Sequence, residues 1–160
     1  MIRELLAEPG LPKPVSDEVR APTAAMDLGT PETYLGYGRL ERFSGSPVKP
    51  DEEAEYQFPA ALPDTGLAYS GRWRVEKERI VAGRDARLRL GFHARSVNLV
   101  LGIDDRPGAV EVYVDGKRQG RVEVTRDDLY TLATLPGPAE THVLELRFAP
   151  GTQAYAFTFG

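Results

Sequence analysis

Arg72, Arg74, Arg87, Arg89, His93 and Arg95 sit on alternating positions close together in the chain, with Tyr113 on a later segment of the same pattern. Guanidinium forks pair bidentately with carboxylates, and a tyrosine ring offers an apolar platform with a polar tip. If their strands are neighbours, Arg72, Arg74, Arg87, Arg89, His93 and Tyr113 form one surface suited to an acidic sugar or an acidic protein patch. Glu76, Glu78, Glu111 and Glu123 are interleaved with them, as the solubility of a solvated sheet face also requires.

Other groupings carry less chemistry. Asp104-Asp105 and Asp127-Asp128 are chain neighbours in turns, and adjacent carboxylates rarely face one point, so the two-carboxylate arrangement of a glycosidase is not legible. Zinc needs three or four ligands, and the chain offers two histidines, His93 and His142, and no cysteine. Calcium accepts irregular oxygen cages, which makes the Asp104 and Asp105 turn the one candidate metal position; no other cofactor is expected. Ser44-Gly45-Ser46 lacks a strand-to-helix elbow, and Gly36-Tyr37-Gly38 lacks a βαβ unit around it. The reading is of a non-catalytic chain.

The elements that must position these residues are strands. At 160 residues the chain fits one domain that removes about 70% of its unfolded surface from water. No run approaches the roughly 18 apolar residues of a membrane helix. Residues 1–66 carry 12 acidic and 6 basic side chains and residues 67–160 carry 12 and 14, so neither half has the basic excess of a nucleic-acid binder. Nine of the thirteen prolines fall at or before Pro63, and none between Leu67 and Arg106, where the sheet core is therefore placed.

From Leu67 onward the apolar period is two. Leu67, Tyr69, Trp73 and Val75 share a face; so do Leu88, Leu90, Phe92 and Ala94, then Val110, Val112 and Val114, then Leu144, Leu146 and Phe148, then Tyr155, Phe157 and Phe159. All of these, Trp73 and Tyr155 included, are expected in the core. Val97 to Leu101 is apolar at nearly every position and reads as a central strand covered on both sides. Turn signals at Asp115-Gly116, Pro136-Gly137-Pro138 and Ala149-Pro150-Gly151 recur at sandwich spacing. The expectation is an all-β, two-sheet antiparallel β-sandwich of jelly-roll type, preceded by a short helix at 2–8 and a proline-containing linker at 9–29.

Two segments bracket this run: Thr30-Pro31-Glu32-Thr33-Tyr34-Leu35-Gly36-Tyr37-Gly38 and Ala154-Tyr155-Ala156-Phe157-Thr158-Phe159-Gly160. Together with the absence of cysteine between them, they resemble the C-terminal region of the DipZ family of membrane proteins of cytochrome c biogenesis and thiol redox chemistry. In that family a thioredoxin-like domain is followed by a β-sandwich resembling a carbohydrate-binding module. The resemblance implies that residues 1–29 are the end of a thioredoxin-like domain plus linker and residues 30–160 an accessory domain, with the reactive cysteines upstream. It implies an extracytoplasmic position and two kinds of partner, a glycan or the upstream domain. Tyr34 and Tyr37 are then the candidate docking residues, with Tyr56 lining a groove or seam.

Overall fold

The computed structural model describes residues 32–160, which form eleven strands and one 3-10 turn, Tyr37–Arg39. The helix expected at 2–8 and the linker at 9–29 lie outside the described residues. The strands are β1 (Thr33–Tyr34), β2 (Glu53–Tyr56), β3 (Leu67–Val75), β4 (Ile80–Ala82), β5 (Arg87–Ala94), β6 (Ser96–Gly102), β7 (Gly108–Val114), β8 (Lys117–Val124), β9 (Asp128–Thr134), β10 (Glu140–Phe148) and β11 (Gln153–Phe159). Every pairing between them is antiparallel. Sheet B runs β8-β7-β10-β5-β3 and sheet A runs β2-β3-β4-β11-β6-β9, with β1 added to β11. The expected antiparallel β-sandwich is the fold observed.

One strand belongs to both sheets. Leu67 to Ser70 of β3 pair with β5 in sheet B, and Gly71 to Val75 pair with β2 and β4 in sheet A. Gly71 makes the corner: its φ is 84°, and a Cβ there would collide with the Asp85 carbonyl of the turn leading into β5. Only glycine takes that conformation cheaply. Side-chain alternation survives the corner, so Leu67, Tyr69, Trp73 and Val75 are all fully buried. Trp73 donates its indole N–H to the carbonyls of Ser70 (2.9 Å) and Arg87 (3.2 Å) and packs edge-on against Phe148 at 5.0 Å. Tyr69 gives its hydroxyl to the Leu35 carbonyl at 2.8 Å, and burial pushes its pKa well up. The period-two sets of β5, β7 and β10 all lie in the core.

Three expectations are corrected. Tyr155 is not a core residue: the register of β11 against β6 slips between Ala154 and Phe157, so Ala154 and Phe157 are buried while Tyr155 is turned the other way and half-buried. An extra residue in a strand reverses the alternation beyond it. Tyr56 is 2% exposed and packs in the core, accepting the Lys49 N–H on its hydroxyl, so it lines no outer seam. β6 is central, between β11 and β9, but from Val97 to Leu101 only Val97, Leu99 and Leu101 are buried; Asn98 and Val100 stay half-exposed on the outer face of sheet A.

Candidate functional site

The outer face of sheet B gathers part of the expected cationic surface. β10 lies between β5 and β7, which sets Arg89, Glu145 and Tyr113 in one cross-strand row and Arg87, Arg147 and Glu111 in the next. Glu145 accepts hydrogen bonds from Nε of Arg89 (2.9 Å) and Nε of Arg147 (3.1 Å), with Arg87 at 3.9 Å. The Arg147 guanidinium lies 4.4 Å from the centre of the Tyr113 ring, and that of Arg89 4.3 Å from Phe58. Partial burial raises the Glu145 pKa, but the hydrogen bonds from Arg89 and Arg147 outweigh it and hold the carboxyl below its ordinary range.

Arg87, Arg89 and Tyr113 therefore do converge. His93 shares their strand face but bonds Thr141 (3.2 Å), four residues or about 13 Å beyond Arg89. Arg72 and Arg74 do not join them, because the Gly71 corner has carried β3 into sheet A by that point. Where β5 begins and β10 ends, sheet B opens into a hollow of about 350 Å³ lined by Arg84, Asp85, Arg87, Glu111, Arg121 and Arg147 over small alanines.

Sheet A carries a longer depression. Its first part, about 320 Å³, is lined by Tyr34, Gly36, Gly38, Arg39, Lys77, Glu78, Tyr155 and Ala156. Through Lys77, Glu78 and Tyr155 it passes into a second hollow of about 450 Å³ with Asp51, Glu76 and Arg79. Through Glu76 and Arg79 that leads to a third of about 240 Å³ at Glu53, Arg74, Asp104 and Gln153. The three make one trough.

Local sequence explains the trough. Tyr37 and Gly38 donate their N–H groups to the carbonyls of Glu76 and Lys77, both at 2.9 Å, docking the 36–38 segment on the β3–β4 turn. A Cβ on Gly36 would collide with the Lys77 carbonyl, so the glycine lets the two backbones touch. Along the floor, Arg79 donates Nε to Glu76 (2.8 Å) and Nη1 to Gln153 Oε1 (2.9 Å), and Gln153 donates Nε2 to Asp104 (2.7 Å). Tyr155 donates its hydroxyl to the same Gln153 oxygen at 3.3 Å. Gln153 is 1% exposed, so this relay is a rigid part of the fold rather than surface decoration. The Glu76 hydrogen bond, followed by Tyr155, raises the Arg79 pKa.

The two candidate docking tyrosines flank this trough. The Arg39 guanidinium lies 3.9 Å from the ring centre of Tyr34, which lines the first hollow. Tyr37 donates to Asp51 at 2.8 Å, and that hydrogen bond raises its pKa. Asp104, one of the two candidate metal carboxylates, spends an oxygen on Gln153, and Asp105 is exposed in the same turn. Among the described residues no three His, Asp or Glu side chains gather as metal ligands would. His142 is engaged elsewhere, with Asp115 at 2.6 Å.

Residues that pattern reading passed over are Arg79, Gln153 and Tyr155 in the trough and Arg84, Arg121 and Arg147 in the sheet-B hollow. Gln153 left one usable sign, a polar residue opening a largely apolar closing strand. The arginines left none, because their convergence depends on which strands are neighbours.

The family of thioredoxin-like C-terminal domains matches residues 30–160. Protein DipZ from Mycobacterium bovis and from Mycobacterium tuberculosis is 32% identical over 180 residues; the match takes in 100% of this chain and 23% of either relative. The chain thus spans about a quarter of the length of these curated relatives. Among solved structures, a family two carbohydrate esterase from Clostridium thermocellum in complex with cellohexaose shares the fold at TM-score 0.53 and 18% identity, over 59% of this chain and 31% of that one. An active-site mutant of that esterase type matches equally, over 60% of this chain. Among the described residues no helix is long and apolar enough to cross a membrane.

Proposed function

The chain belongs to the family of thioredoxin-like C-terminal domains, and from that premise we propose that it is a non-catalytic accessory β-sandwich holding a carbohydrate or similarly polar ligand in the sheet-A trough. The observation that carries this reading is Tyr155, turned outward by the slip in β11 into a trough it shares with Tyr34. A sugar ring has an apolar face and an equatorial belt of hydroxyls. Tyrosine rings suit the first, and planar side chains fixed in advance suit the second. Arg79 is so fixed, by Glu76 and by the buried Gln153 behind it. In the full-length protein the domain stands on the extracytoplasmic side, beside a thioredoxin-like domain that carries the redox chemistry.

An amide-resolved titration with neutral oligosaccharides tests it. Shifts confined to 34–39, 76–79 and 153–156, abolished in Tyr155→Ala without loss of the fold, are expected. Silence across neutral glycans sinks the reading. A calcium arm of the same titration reports on the Asp104 and Asp105 turn, where shifts over 103–106 are expected if the ion binds.

A second reading has its own observation. Asn98, Val100, Leu129, Thr131, Ala156 and Thr158 form an uncharged patch on the β11-β6-β9 part of sheet A, tied by Thr131 and Asn98 at 2.9 Å. Leu129 is 52% exposed, and β1 runs along the patch beside Ala156 and Phe157. Such a face suits docking on the neighbouring thioredoxin-like domain, with Tyr34 and Tyr37 at its margin. Independent unfolding and tumbling of the two domains in a joint fragment would count decisively against it.

A further inference from the structure

The sheet-B hollow is a different kind of place. Three separate stretches of chain bring Arg84, Arg87, Arg121 and Arg147 to one space of about 350 Å³. The lining carboxylates are Asp85 and Glu111, so the lining charge is four minus two, or +2, in a chain of net charge −4. We infer that this hollow binds an oxyanionic group, a phosphate or a sugar carboxylate, at a site separate from the trough.

The guanidiniums are held from behind. Arg147 is pinned through Nε to Glu145 and by its ring contact with Tyr113, and Arg121 through Nε to Glu123 at 2.6 Å. Holding an arginine by Nε leaves its terminal nitrogens as donors, with less side-chain entropy to lose on binding. Two further ion pairs along this lining are beyond hydrogen-bond distance: Arg121 Nη1 to Glu111 is 3.7 Å, and Arg87 Nη1 to Glu145 is 3.9 Å. Arg84 makes no ion pair or side-chain hydrogen bond among the described residues.

Two backbone donors of the lining are already spent. The N–H groups of Phe148 and Ala149 are taken by the carbonyls of Ala86 and Ala109. Recognition rests on guanidinium forks, which match the paired oxygens of phosphate and carboxylate. The volume is at the small end for ligand sites and takes a group of monosaccharide size. The turn bearing Arg84 and Asp85 is seated against Gly71, which ties the hollow to the corner of the fold.

The test is a titration of the whole chain, followed by amide resonances, with inorganic phosphate, with glucuronate and with glucose as the neutral control. Saturable shifts at 84–87, 111, 121 and 147–149 with either anion, and none with glucose, are expected, weakening as salt is raised. Arg84→Gln/Arg87→Gln should weaken anion binding about tenfold or more while keeping the fold, and Lys117→Gln, at the far hairpin, should not. Whichever anion saturates first identifies the source of the oxyanion. Shifts that never saturate, that glucose reproduces, or that Lys117→Gln reduces equally would overturn the inference. Silence in this hollow with glycan shifts around Tyr155 would leave the trough reading standing, since the two lie on opposite sheets.

Discussion

Sheet A's trough ties its floor groups to one another: Glu76, Arg79, Gln153 and Asp104 bond in sequence around the buried Gln153, between walls that carry Tyr34, Tyr155, Arg39, Lys77 and Glu78. Sheet B's face does the reverse, setting arginines and glutamates at the surface, where Arg87, Arg89 and Arg147 crowd one carboxylate. The difference is one of commitment. Buried, mutually satisfied polar groups are expensive to disturb and so give a rigid platform. Exposed ion pairs contribute little each, so their donors can be shared with an incoming anion at small cost. One strand, β3, supports both.

That shared strand gives the largest expected effect. Trp73→Ala removes the ring buried at the junction of the sheets and should cost about 3–5 kcal/mol, collapsing both surfaces together in a urea melt. If either sheet keeps native shifts while the other melts, the two are not one cooperative unit. Gly36→Ala should separate them. Its Cβ meets the Lys77 carbonyl, so the 36–38 segment must lift, costing about 2 kcal/mol and broadening Tyr34 and Tyr155 resonances while sheet B stays unchanged.

Glu145 sharpens the comparison from the other side. Its native pKa is depressed, so the stability it contributes is fully present above the ordinary glutamate range and is lost as pH falls through the lower native value. Glu145→Gln should lower stability by about 1 kcal/mol or less at neutral pH, and the gap to wild type should close on acidification. A gap that widens in acid would show that Arg89 and Arg147 do not set this carboxyl. The smallest effect belongs to Leu129→Ser on the uncharged patch. In the isolated chain it should shift stability by about 0.5 kcal/mol at most, measured by denaturant midpoint.

Alternation in β5, β7 and β10 made their core faces readable, because a strand buried on one side must place every second residue inside. The same rule misplaced Tyr155, since one irregularity in β11 reverses the faces and leaves no mark in Tyr155-Ala156-Phe157 itself. Arg87, Arg89 and Tyr113 were legible as outward-facing residues, and β10 confirmed them as neighbours by lying between their strands. Arg72 and Arg74 were equally legible as outward, yet they belong to the other sheet.

Local chemistry by itself determined what each segment is: β-strand from the period of two, turn from glycine and proline, no thiol chemistry from the absence of cysteine, and outward arginine from strand parity. Those properties depend on a residue and its near neighbours along the chain. Which strands lie side by side, where β3 leaves one sheet for the other at Gly71, and which way Tyr155 turns were decided only by the tertiary structure. Strand order and register come from hydrogen bonds and packing between segments far apart in sequence, and a site built across strands exists only once those partners are chosen.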